Sequence, residues 1–166
     1  DEDVFVDDIM LPANDGYMLA ASLFLPRGVK NSTVLINSAT AVPRKIYRGF
    51  AAYLAQQGQT VLTYDYRGIG RSRPQRMRAF KAVVEDWSEW DCAGAIAELR
   101  RRYPAAEFIG IGHSVGTMMF GGPTDEATSH RIIARATQKT IHARCFHEDK
   151  FGVTTGDHER ECWHRK

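Results

Sequence analysis

The sequence predicts an α/β fold, a mainly parallel and doubly wound sheet preceded by an N-terminal hairpin. Three observations carry this expectation. Short continuous apolar runs recur at Thr33-Val34-Leu35-Ile36, Thr60-Val61-Leu62-Thr63-Tyr64 and Phe108-Ile109-Gly110-Ile111, the pattern of strands covered on both faces. Segments with apolar residues at helical spacing lie between them. Pro43, Gly58 and Pro104 mark where those helical segments start or stop. Alternating strands and helices imply right-handed crossovers, helices on both faces, and ligand-contacting groups at the carboxyl ends of the strands.

In chain order, Val4, Val6, Ile9 and Leu11 precede Asn14-Asp15-Gly16, after which Leu19, Ala21, Leu23 and Leu25 alternate with their neighbours, as half-buried strands do around a tight turn. Pro26-Arg27-Gly28 and Asn31-Ser32 form a loop into the first buried strand. Pro43 then opens a helix of about four turns, with Ile46, Phe50, Tyr53 and Leu54 as its apolar stripe and Gly58 as its stop. A second buried strand over 60–64 leads into the loop Asp65-Tyr66-Arg67-Gly68-Ile69-Gly70-Arg71-Ser72 and an exposed basic connection. From Val83 to Tyr103 the spacing of Cys92, Ile96, Leu99 and Tyr103 predicts a second helix, with Arg100-Arg101-Arg102 as its solvated end. Residues 108–111 form the next strand.

At 166 residues, 43% hydrophobic and 25% charged, the chain has room for one domain and the composition of an ordinary globule. A formal charge of +2 without any long run of like charge argues against nucleic acid as a partner. Three scattered cysteines, Cys92, Cys145 and Cys162, do not make a disulfide framework, and a reducing, cytoplasmic setting is expected. No stretch has the length and apolarity of a membrane span, and none reads as a signal peptide. Because the chain opens with Asp1, a trimmed or fragmentary N-terminus is expected.

The strand over 108–111 delivers Gly112-His113-Ser114-Val115-Gly116, which fits the G-x-S-x-G pattern of a nucleophile elbow. There a strand turns sharply into a helix, the serine sits on strained backbone, and the glycines let the two elements approach. Ser114 is therefore the candidate nucleophile. His113 is read as a packed residue of the turn, since consecutive side chains point in different directions. The dinucleotide fingerprint is not met, because Arg73 and Val115 stand where its third glycine would fall, and no P-loop sequence occurs. Asp65, Arg67, Gly68, Gly70 and Ser72 read as a structural loop in which Asp65 and Arg67 hydrogen-bond nearby backbone.

Taken in order, the hairpin, the run Val34-Leu35-Ile36-Asn37-Ser38-Ala39-Thr40, the loop over 65–72 and Gly112 to Gly116 resemble the first half of an α/β-hydrolase, of the branch that holds lipase-like serine esterases and serine aminopeptidase-like enzymes. The resemblance covers residues 1 to about 116. It implies a hydrolase that attacks an ester, thioester or amide carbonyl of a small-molecule substrate through Ser114, with the backbone N–H groups of Val115 and Ala39 forming the oxyanion hole. No cofactor and no metal are expected. The family usually has His-Gly where this chain has Asn37-Ser38.

Composition changes after the pentapeptide: residues 1–116 hold 56 hydrophobic residues and residues 117–166 only 16, while five of the six histidines fall in the second block. Residues 1–122 are therefore read as the N-terminal part of an α/β-hydrolase domain, and 123–166 as a polar, His-rich tail, helical or disordered. A helix over 128–146 through Ile132, Ile133 and Ala136 is one expectation, and no further strand is expected. A hydroxyl needs a histidine and an orienting carboxylate to become a nucleophile. The tail offers His142, His147, His158 and His164 as bases and Asp125, Asp149 and Asp157 as orienters, with no pairing singled out. Its Cys145-x-His147 and His158-x3-Cys162-x-His164 spacings do not match paired zinc ligands. The chain is thus expected to be a fragment, a truncated pseudo-hydrolase, or a product whose reading frame changed after the elbow. The alternative function is a non-catalytic remnant that binds or dimerises, its incomplete sheet inviting self-association.

Overall fold

The computed structural model describes residues 4–28, 32–121 and 132–135. They form a six-stranded mixed sheet in the order β1-β2-β4-β3-β5-β6. Strands β1 (Val4–Pro12) and β2 (Met18–Pro26) pair antiparallel as the expected hairpin. Strand β2 also runs antiparallel to β4 (Thr60–Tyr64), whereas β4, β3 (Ser32–Asn37), β5 (Glu107–His113) and β6 (Ile132–Arg135) are mutually parallel. The doubly wound α/β expectation holds.

Burial of the central strands follows from the cover on each face. Leu11, Leu19, Leu23, Leu35 and Leu62 pack with Ile96 and Leu99 of α3 (Ala93–Arg102) in one core. Phe24, Val34, Ile36 and Val61 pack with Ala51 and Ala55 of α1 (Arg48–Gln56) in the other. Strand β2 departs from the half-buried alternation expected of it. Residues 19–24 are all buried, because the polar-side positions Ala20 and Ser22 lie between β1 and β4 under the α1 side of the sheet.

The helix expected after Pro43 begins as a 3₁₀ turn over Arg44–Tyr47 and continues as α1. At its end the N–H of Gln59 bonds the carbonyl of Leu54 and the N–H of Gly58 that of Ala55, a Schellman cap. Its facing, however, is corrected. Ile46, Phe50 and Tyr53 are exposed, and the face on the sheet is Ala51 and Ala55. Two alanines one turn apart bring the helix backbone close to the strands, so the small residues win the inner face and the larger ones are turned outward.

The second helix is composite: α2 (Val84–Asp86), a wide π turn over Trp87–Cys92, and α3. Cys92, Ile96 and Leu99 are buried as expected, and the π turn carries Asp91 inward beside Cys92. After β5 comes α4 (Val115–Met118) with a 3₁₀ turn over Met119–Gly121. The expectation that no strand follows, and that a helix runs through Ile132 and Ile133, is overturned by β6. It pairs with β5 from Gly110↔Ile132 to His113↔Arg135. Two β-branched residues suffice there because β5 already offers a free parallel edge to pair with.

Candidate active site

Between β5 and α4 the chain reverses at Ser114, whose backbone stands at φ 55°, ψ −122°. This is the mirror image of an ordinary extended conformation and is strained for any residue with a Cβ. Among the described residues the other non-glycine with positive φ is Ala41, at 60°, in the loop after β3. Both strained positions therefore belong to loops at the carboxyl ends of adjacent parallel strands. The two glycines of the pentapeptide are required by contact. A Cβ on Gly112 would lie 2.4 Å from the backbone of Thr117, and one on Gly116 would lie 2.4 Å from the Asn37 carbonyl oxygen and 2.6 Å from that of Ser38. Gly116 thus seats the first turn of α4 directly against the loop that carries Ala39.

That loop is held from below by hydroxyls. Tyr64 donates to Asn37 Oδ1 at 2.7 Å, Asn37 Nδ2 donates to Cys92 Sγ at 3.3 Å, and the Tyr66 hydroxyl donates to the Ser38 carbonyl at 3.4 Å. The Asn37 side chain therefore points into the core rather than toward Ser114. Burial pushes both tyrosine hydroxyls well above their ordinary range and the Cys92 thiol up to about 12, so all three remain neutral, the tyrosines donating and Cys92 accepting. From the solvent side, Tyr47 covers the loop: its hydroxyl oxygen accepts the Ala39 N–H at 3.0 Å and lies 2.8 Å from His113 Nδ1. Partial burial raises the Tyr47 pKa, against a smaller opposing effect of the Ala39 bond.

A model of the family described as serine aminopeptidase, S33, matches residues 31–146, more than two-thirds of the chain. The chain belongs to this family. Its fold is similar to that of an esterase from Pyrococcus furiosus, which is 20% identical with a TM-score of 0.58 over 69% of this chain and 42% of that one. A hypothetical protein from Pseudomonas aeruginosa aligns at 18% identity and TM-score 0.65 over 81% of this chain and 43% of its own. An α/β serine hydrolase without a lid from Xanthomonas campestris aligns at 19% and 0.62, over 78% of this chain and 60% of its own. The chain thus spans between two-fifths and three-fifths of the length of these structures. No curated protein is matched by its sequence.

Within this serine aminopeptidase-type fold, Ser114, Val115 and Ala39 lie on neighbouring turns at one end of the sheet, joined through the Gly116 contact. His113 bonds Tyr47. The structural reading of the loop after β4 is also met, and extended. Asp65 accepts the backbone N–H groups of Arg44 (2.7 Å) and Arg71 (2.9 Å) and pairs with the Arg44 guanidinium at 2.5 Å. Arg67 instead reaches two carboxylates, Asp91 at 2.7 Å and Asp15 in a two-pronged contact at 2.7 and 2.8 Å. The tail residues Asp125, His130, His142, Cys145, His147, Asp149, Asp157, His158, Cys162 and His164 lie outside the described residues. Among the described residues no three His, Cys, Asp or Glu side chains converge as metal ligands would, and no helix is long and apolar enough to cross a membrane. Sequence reasoning missed Tyr47, Tyr64 and Tyr66. The signal available for the last two was a pair of tyrosines flanking Asp65 at the carboxyl end of a strand.

Proposed function

We propose that this chain carries the nucleophile of a serine hydrolase acting on small-molecule esters, thioesters or amides. The strained Ser114 backbone between a parallel strand and a helix is the observation that carries the reading, because such strain persists only where the surroundings over-determine it. The Ser114 hydroxyl oxygen adds to the carbonyl carbon while its proton passes to a histidine base, and the carbonyl oxygen takes up negative charge. The N–H groups of Val115 and Ala39 receive that charge. Collapse of the tetrahedral species expels the leaving group with the proton from the histidine, and water then releases the acyl group from Ser114 by the same steps in reverse. The base and its orienting acid are assigned to residues after Gly121, residues 1–122 being the nucleophile-bearing part. Three scattered cysteines, too few for a disulfide framework, are the ground for a reducing, cytoplasmic setting.

Labelling of the full chain with a fluorophosphonate, followed by peptide mass spectrometry, tests this. A covalent adduct confined to Ser114 and abolished in Ser114→Ala is expected. A folded protein that takes no adduct would sink the catalytic reading. It would favour the second one, a binding or self-associating remnant, which the exposed apolar stripe of Ile46, Phe50 and Tyr53 supports.

A further inference from the structure

A cavity of about 410 Å³ opens on the α1 side of the sheet, between the hairpin, the start of α1 and the loop after β4. It lies over β2 and β4, at the other end of the strand order from β6, and is separate from the Ser114 turn. Four cations, Arg44, Lys45, Arg48 and Arg71, line it against two carboxylates, Asp8 and Asp65, an excess of two positive charges.

The partners of these groups show where the excess resides. The buried Arg44 is committed to Asp65, to the Ser22 hydroxyl at 3.0 Å and, at 3.6 Å, to Asp8. Asp65 is saturated by Arg44 and by the N–H of Arg71, and Asp8 accepts the Ser22 hydroxyl at 2.5 Å. Asp65 is thus neutralised by Arg44, while the half-exposed Asp8 keeps its charge opposite Arg71, which leaves the net excess on Lys45 and Arg48. Arg71 touches Asp8 only at 3.9 Å and is exposed. Among the described residues Lys45 and Arg48 form no ion pair. Two uncompensated cations at one concave site raise the local potential, and the low-dielectric floor beneath them strengthens any anion contact. Guanidinium groups take phosphate oxygens two at a time, which suits Arg48 and Arg71. Pro43 and Phe24 add apolar wall, and the volume falls within the range of about 300–1,000 Å³ found for small-ligand sites.

We propose that this cavity binds a phosphate monoester, its dianionic head held by Lys45, Arg48 and Arg71 and its organic part against Pro43 and Phe24. The proposal does not depend on Ser114 being a nucleophile. Isothermal titration of the full chain with phenyl phosphate and with inorganic phosphate tests it, using the wild type, Ser114→Ala, and the double variant Lys45→Ala/Arg48→Ala. Both residues of the double variant are exposed, so its fold should be retained, with circular dichroism as the check. Saturable one-to-one binding is expected, unchanged in Ser114→Ala, at least tenfold weaker in the double variant, and several-fold tighter for phenyl phosphate than for inorganic phosphate. Absence of saturable binding by the wild type, or full affinity in the double variant, overturns the site. Equal affinity for the two probes overturns the monoester and leaves the free ion as ligand. Loss of binding in Ser114→Ala places the anion at the Ser114 turn and overturns the cavity.

Discussion

At Ser114, strain is a measurable quantity rather than a description. A Cβ at φ 55°, ψ −122° costs about 1–3 kcal/mol, whereas glycine occupies this region freely and loses part of that gain to its larger unfolded-state entropy. Ser114→Gly should therefore be about 1 kcal/mol more stable than Ser114→Ala in chemical unfolding, although both lack the hydroxyl. Equal stability would show that the turn stores no strain. Tyr47 supplies a second residue-level test. Its hydroxyl oxygen accepts the Ala39 N–H, the donor to which we assign the oxyanion. Freeing that donor is worth the net value of one hydrogen bond, about 0.5–1.5 kcal/mol, or roughly two- to tenfold in rate. Tyr47→Phe should thus raise the rate of phosphonate labelling at Ser114 by that factor, and a slower rate would mean that the hydroxyl assists rather than competes. Ser114 was legible because the glycines demanded by backbone contact are written into the pentapeptide. Tyr47 was not, since its role follows from a turn of 3₁₀ geometry that no spacing announces.

Among the elements, the composite helix and the loop after β4 are locked together by Arg67. Asp91, fully buried on the π turn, accepts from the Arg67 backbone N–H and guanidinium, and Asp15 in the hairpin turn holds the other side of that guanidinium. Asp91→Ala leaves the Arg67 guanidinium paired with Asp15 alone and the Arg67 backbone N–H without its acceptor, and should cost about 1–3 kcal/mol by denaturant unfolding. Burial nevertheless pushes the Asp91 carboxyl up to about 6, against the pull of Arg67. A carboxyl whose folded pKa lies above its unfolded value, about 3.9, takes up its proton first in the folded protein. Its contribution to stability therefore grows as pH falls from about 6 toward 4 and is least above 6. Asp91→Asn carries no such proton, so the wild type should gain stability relative to it over that window; a constant difference from pH 4 to 7 would refute the assignment. The continuous runs in β3 and β4 announced their strands because burial on both faces leaves no polar alternation to misread, and β5 was read the same way although its Ile109 and Ile111 face is only half-buried. The facing of α1 was hidden by a rule that ranks side chains by apolarity, when Ala51 and Ala55 were chosen for closeness. Strand β6 was hidden because Ile132 and Ile133 are too few to form a run, and its identity comes from the edge of β5.

For the molecule as a whole, the sheet is the shared wall of two cores, and strands β2, β3 and β4 contribute side chains to both. Leu62 lies in the core under α3, and Ile36 in the core under α1. Alternation along a strand places successive side chains on opposite faces, so neither core can be lost without exposing the backbone pairing that supports the other. Leu62→Ala and Ile36→Ala should each cost about 2–5 kcal/mol. Trp87 packs against the core under α3 and stacks on Tyr66 with ring centroids 4.8 Å apart, so in a Trp90→Phe/Trp163→Phe background the fluorescence reports from one side of the sheet. If the two cores unfold as one unit, Ile36→Ala, on the far side, must shift the fluorescence midpoint by as much as the far-ultraviolet circular dichroism midpoint. Separation of those two midpoints in Ile36→Ala, with coincidence retained in Leu62→Ala, would show that the α1 layer melts independently. The loop bearing Ala39 leaves β3 between the two layers, so independent melting would also uncouple it from Ser114 and slow phosphonate labelling at temperatures where the fluorescence is still native.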